Sequence, residues 1–162
     1  MVGRTTARDQ KKAADCRGIM VFEDEASFWL DGTSHQTWSP VGVQPRVPTY
    51  GLRKTAHVYG AVAVDTADFV YQFADVFNGH SFHQFLLTVV ERHKIELHRL
   101  PPYSPEFNPT EGVWKTTRKM ATHNRFYPTV LERDAALRQT FDQFRRTPEL
   151  IDHQVARFRR AS

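Results

Sequence analysis

Residues 100–115 read Leu-Pro-Pro-Tyr-Ser-Pro-Glu-Phe-Asn-Pro-Thr-Glu-Gly-Val-Trp-Lys, and they constrain the fold more than any other stretch. Pro101, Pro102 and Pro105 each lock φ and remove a backbone donor, so a rigid turn is expected there. Asn108 suits a helix N-cap and Pro109 the first helical position. Glu111 then falls in the first helical turn. Val113, Trp114, Thr117 and Met120 recur as one apolar face, while Lys115, Arg118 and Lys119 lie elsewhere around the helix. Asn124 and Pro128 stop it. A generic core does not require a proline turn, a capped helix and a carboxylate beside basic residues.

The segments before this turn read as strands. Ile19-Met20-Val21-Phe22 leads into Glu23-Asp24-Glu25 and then Ser27-Phe28-Trp29-Leu30, a strand with acids in its middle. Asp31-Gly32 ends it, and residues 32–54 are loop-rich. Val58 to Val64 is a second strand and Phe69 to Phe73 begins a third, ending by Asn78-Gly79; the short connection makes them a hairpin. Ser81 and Gln84 have capping-box spacing, so a helix is expected from Ser81 to about Arg92, with Phe82, Phe85, Leu86, Val89 and Val90 on one face. Ile95, Leu97 and Leu100 alternate as in a strand. After the proline turn and its helix, Thr129 and Glu132 cap another helix, with Leu131, Ala135, Leu137, Phe141 and Phe144 as its expected buried side. A final short helix ends in Arg157, Arg159 and Arg160. Strand, strand, strand, helix, strand and three helices imply an α/β fold with a mixed sheet.

The chain has 162 residues, enough for one domain with a core. No apolar run reaches the length of a membrane span, and the first twenty residues are too polar for a secretory signal. The single cysteine, Cys16, fits a reducing compartment, so a cytoplasmic location is expected. Residues 1–100 hold 11 Lys+Arg and 11 Asp+Glu, whereas residues 101–162 hold 11 and 7. The net positive charge thus sits in the last third, which suits either an anionic partner or a solvated set of amphipathic helices.

Three groups of residues invite a chemical reading. Asp24 points to the opposite face of its strand from Glu23 and Glu25, so the three acids cannot all face a core. An acid on a buried face is costly unless a cation offsets it; the alternative is an exposed strand edge. Glu111 either belongs to a capping arrangement with Asn108 or carries chemistry, and the two roles are compatible. His80 and His83 are three apart but lack the partners of a zinc site.

Several segments together resemble the catalytic domain of DDE transposases of the mariner-like superfamily, in the bacterial insertion-sequence branch. They are Phe22 to Phe28, Thr37-Trp38-Ser39-Pro40-Val41-Gly42, His57 to Val64, and Leu100 to Lys115, in the family's order. The resemblance implies a ribonuclease H-like fold, with a tail or linker remnant over residues 1–18, a catalytic domain over 19–127 and basic C-terminal helices over 128–162. It implies DNA strand cleavage and transfer with Mg²⁺ or Mn²⁺ as cofactor, and transposon-end DNA as partner; a homodimer is compatible with it. Asp24 would be the first metal-binding catalytic acid and Glu111 the third. Lys115, Arg118 and Lys119 would contact nucleic acid.

The chain departs from the family between its first helix and the proline turn. The family's second acid belongs to an Asp-Asn pair at the end of a strand, followed by a helix. Here Glu91-Arg92-His93-Lys94 runs almost directly into Ile95-Glu96-Leu97. One central strand and the following helix are therefore expected to be missing. Asp75 precedes Glu111 by 36 positions, near the usual interval between the last two acids, but it stands before the wrong helix. Three readings follow. The chain is an impaired transposase domain, a non-catalytic nucleic-acid-binding remnant, or a product too incomplete to fold.

Overall fold

A computed structural model describes residues 19–33, 35, 38–44, 46–49, 51, 54–90 and 105–159. Strands β1 (Val21–Trp29), β2 (Thr55–Ala63) and β3 (Phe69–Ala74) form one antiparallel sheet in the order β1-β2-β3. Helix α1 (Gly79–Val90) follows. After a 3₁₀ turn at Pro105–Phe107 come α2 (Thr110–Thr117), α3 (Val130–Arg146) and α4 (Glu149–Val155). This is the α/β architecture expected from the sequence. The expected strand over Ile95–Leu100, the turn at Pro101–Ser104 and the tail before residue 19 lie outside the described residues.

The sheet separates two apolar layers. On one face Tyr59, Ala61 and Val70 pack against Phe85 and Val89 of α1. On the other, Phe22, Ala26, Phe28, Val58, Val62 and Phe69 meet Val113 and Trp114 of α2, Leu137, Phe141 and Phe144 of α3, and Ile151 and Val155 of α4. The C-terminal helices thus complete the same core as the strands. Alternation along β1 explains the division: Phe22, Ala26 and Phe28 are buried toward α2 and α3, while Glu25, Ser27 and Trp29 are exposed.

Three local readings need correction. Helix α1 starts at Gly79, because Asn78 rather than Ser81 caps it: Asn78 Oδ1 accepts from the Ser81 N–H at 2.9 Å, and Ser81 Oγ accepts from the Asn78 N–H at 3.1 Å. That is a reciprocal capping box one turn earlier than expected, and β3 accordingly ends at Ala74. Val90, placed on the apolar face of α1, is exposed. Leu131 and Ala135 of α3 are also exposed, since the buried stripe runs Arg133, Leu137, Thr140, Phe141 and Phe144. Arg133 can take that position because its guanidinium donates to the Phe28 and Lys54 carbonyls at 3.1 and 2.7 Å and pairs with Asp134.

Helix α2 continues as a π-helical turn over Arg118–Thr122 and ends at His123, whose ψ of 128° is extended; Asn124 follows with a positive φ of 54°. Asn124 also holds the β1–β2 loop. Its side chain accepts from the His35 N–H at 2.8 Å and donates to the His35 carbonyl at 3.0 Å, and its own N–H donates to the Thr33 carbonyl.

Candidate active site

The start of α2 is fastened to the middle of β1. Asn108 Oδ1 accepts from the Thr110 N–H at 3.0 Å and Pro109 already has helical angles, so the pair begins the helix as the sequence suggests. The other half of the carboxamide donates from Nδ2 to the Glu23 carbonyl at 3.0 Å. Thr110 Oγ1 donates to the Phe22 carbonyl at 3.2 Å. These two bonds set the first turn of α2 beside Asp24.

Two side chains of α2 then act on Asp24. Trp114 Nε1 donates to Asp24 Oδ2 at 3.1 Å, and the Glu111 carboxylate is close enough for its charge to act on Asp24. The Asp24 carboxyl is raised above its ordinary range, first by burial. The Glu25 backbone N–H opposes that shift, the negative charge of Glu111 adds to it, and the Trp114 bond opposes it. Asp24 and Glu111, 87 positions apart in the sequence (111 − 24), are thus brought within electrostatic range of each other.

Glu23 lies on the opposite face of β1. It is pushed up to about 7 by burial, with the charges of Glu25 and Asp24 adding. Its Oε1 is buried with no hydrogen-bond partner among the described residues. The sequence showed that the three acids must divide between two faces, but not that Glu23 would be enclosed.

The basic residues divide as well. Lys115 and Lys119, one turn apart on α2 and its extension, are exposed. Arg118 is half-buried, with its guanidinium 5.4 Å from the centre of the Phe28 ring. Asp75 lies beyond the end of β3. Asp24 pairs across β2 at Gly60, which pairs with Tyr71, so Asp75 is two strands away and roughly 13 Å further along at the usual strand rise. Asp75 and the exposed His80 instead line a polar cleft of about 530 Å³ around the end of β3 and the start of β2. His83 is also exposed, and among the described residues no three His, Cys, Asp or Glu side chains are assembled as for a metal ion.

Sequence reading missed two participants. Trp114 was legible as a core residue but not as a donor to Asp24. Gly60 is the other: an isolated glycine in a strand is a signal of close approach by another group. A family model described as DDE superfamily endonuclease matches residues 19–94 and 88–132. The chain belongs to the DDE superfamily endonuclease family. Its sheet and helices are those of a ribonuclease H-like DDE domain, and the family is one of transposase-type nucleases that act on DNA with divalent metal ions. The chain matches no curated protein. Among the described residues no helix is long and apolar enough to cross a membrane.

Proposed function

We propose that this DDE domain binds DNA and one divalent cation but has lost efficient strand cleavage and transfer. The observation that carries the proposal is that Asp24 and Glu111 lie within electrostatic range of each other, while no three His, Cys, Asp or Glu side chains are assembled as for a metal ion among the described residues. Two carboxylates whose charges oppose each other, one already costly through burial, form an oxygen-only donor pair that suits Mg²⁺ or Mn²⁺. When bound, such an ion supplies Lewis-acid activation of a water or a DNA 3′ hydroxyl. Asp24 and Glu111 would be its ligands, Asp24 held by β1 and Glu111 by the first turn of α2.

A two-metal clamp is held by three carboxylates in complete members of the family, and the second of them has no counterpart beside Asp24 and Glu111 in this sequence. Support for its loss comes from the family match itself. The match falls into two pieces that meet at residues 88–94, where the sequence lacks room for the strand, the Asp-Asn pair and the helix. Exposed Lys115 and Lys119 near Glu111, with Arg118 behind them, provide the cationic face on which a phosphate backbone would lie.

The test is a Mg²⁺- or Mn²⁺-dependent cleavage assay on the purified chain, run beside DNA binding at several salt concentrations. The expected result is salt-sensitive binding with negligible cleavage. Robust cleavage that vanishes in both Asp24→Ala and Glu111→Ala would show an active nuclease instead. Binding that ignores salt, or fails altogether, would remove the DNA-binding part.

A further inference from the structure

We infer that Trp114 is a positioning residue for the candidate metal site: its indole N–H holds one Asp24 oxygen, orienting the other toward a cation shared with Glu111, and Gly60 exists to admit that indole. The inference rests on the reading of Asp24 as a cation ligand. It adds a residue that does not itself touch the ion.

The geometry begins with strand register. Asp24 of β1 pairs with Gly60 of β2, so their side-chain directions share a face. Glycine leaves a slot beside the Asp24 side chain. The six-membered ring of Trp114 fills it: a Cβ built on Gly60 would overlap Cη2 and Cζ2 of the indole. With its ring seated over β2, the indole places Nε1 against Asp24 Oδ2 at 3.1 Å.

The ring has little freedom to leave. Trp114 is buried, and Phe28, Phe69 and Phe141 each meet it edge-on, with centroid separations of 6.0, 6.0 and 6.2 Å and interplanar angles of 73°, 76° and 76°. Edge-to-face contacts on several sides fix both tilt and rotation of the plane. Packing alone could be served by phenylalanine. The N–H is the part that only tryptophan brings, and it meets a carboxylate, making a charge-assisted bond. A ligating carboxylate restrained by such a partner keeps its orientation before the ion arrives, and loss of such partners typically weakens metal affinity about 10- to 100-fold.

The experiment is Mn²⁺ binding to the full chain, followed through the free-ion electron paramagnetic resonance signal, with thermal unfolding measured on the same samples. The wild-type chain should bind Mn²⁺ and Asp24→Asn should lose that binding. Trp114→Phe should bind at least about ten-fold more weakly. Phe144→Leu, whose ring meets Phe69 and Phe141 in the same core rather than the indole, should lower the unfolding temperature and leave Mn²⁺ affinity near wild type. In the ¹H–¹⁵N spectrum, Asp24→Asn should shift the Trp114 indole resonance and leave those of exposed Trp29 and Trp38 in place. If Trp114→Phe fails to fold, Gly60→Ala is the second variant, expected to weaken Mn²⁺ binding by displacing the ring. Wild-type affinity in folded Trp114→Phe would overturn the positioning role and leave the metal site standing. Absence of Asp24-dependent Mn²⁺ binding in the wild-type chain would overturn the metal reading and this inference together.

Discussion

Asn108 and Glu23 meet across 85 positions of chain, with the Asn108 carboxamide nitrogen 3.0 Å from the Glu23 carbonyl oxygen. The same carboxamide uses its oxygen to cap Thr110. One side chain therefore both starts α2 and pins it to the strand residue before Asp24. Trp114 bonds Asp24, and Glu111 comes within electrostatic range of it, because their helix is held at that point.

Asn108→Ala should therefore remove a cap and leave a buried carbonyl unpaired, costing about 2–3 kcal/mol in urea unfolding. Asn108→Asp retains an oxygen for Thr110 but no donor for Glu23, so it should fall between wild type and alanine. Equal stability of Asn108→Ala and wild type would show that neither bond holds α2.

Stability should decline as pH rises through the range set by Glu23. Its folded-state pKa is raised to about 7, so the folded chain binds that proton more tightly than the unfolded chain does. The favourable contribution is complete below the ordinary carboxylate range near 4.5 and is lost as pH climbs to about 7. The upward shift of Asp24 has the same sign. In metal-free buffer, denaturant unfolding should show wild-type stability falling by on the order of 2 kcal/mol from pH 5 to pH 8. Glu23→Gln should remove most of that slope. An unchanged slope in Glu23→Gln would place its origin elsewhere.

The sequence carried the strand order, the α2 stripe and the two acids because each has a local signal. Alternation marks β1, helical spacing marks Val113, Trp114 and Thr117, and Asn-Pro marks the start of α2. The errors arose where two local signals competed or where the signal was absent. Ser81-x-x-Gln84 and Asn78-x-x-Ser81 both have capping spacing, and the Asn78 side chain closed the earlier box. Leu131 drew the buried face of α3 the wrong way because Arg133 reads as a surface residue until the carbonyls of Phe28 and Lys54 are brought to it. The bond from Trp114 to Asp24 spans 90 positions and has no local trace. Only Gly60, opposite Asp24 in the register, hinted that something would lie close over the strand.

Arg133 should be among the costliest positions to truncate. Its buried guanidinium satisfies the Phe28 and Lys54 carbonyls and pairs with Asp134 at 2.8 Å. Arg133→Ala opens a cavity and orphans acceptors at the junction of β1, β2 and α3, so a loss of about 3 kcal/mol is expected in urea unfolding. Arg133→Met keeps much of the volume but not the donors and should recover only part of that loss. A penalty below about 1 kcal/mol for alanine would mean that the carbonyls find other partners.

Two glycines should respond differently to alanine although a Cβ at either one overlaps a neighbour. At Gly112 the obstacle is the Gln154 carboxamide, the far end of a flexible side chain whose nitrogen is 3.4 Å from Thr116 Oγ1. That carboxamide can swing away, and alanine favours the helix by about 1 kcal/mol, so Gly112→Ala should be close to neutral. At Gly32 the obstacles are the main-chain carbonyls of Thr122, which ends the π-helical turn, and of Arg125 just beyond it. Those atoms move only if the β1–β2 loop lifts from the end of α2, and lifting it breaks the bonds that Asn124 makes to Thr33 and His35. Gly32→Ala should therefore lower stability by about 2 kcal/mol and speed amide exchange at His35 and Asn124, read by hydrogen–deuterium exchange. Unchanged exchange at both amides would show that the loop is not held by its approach at Gly32.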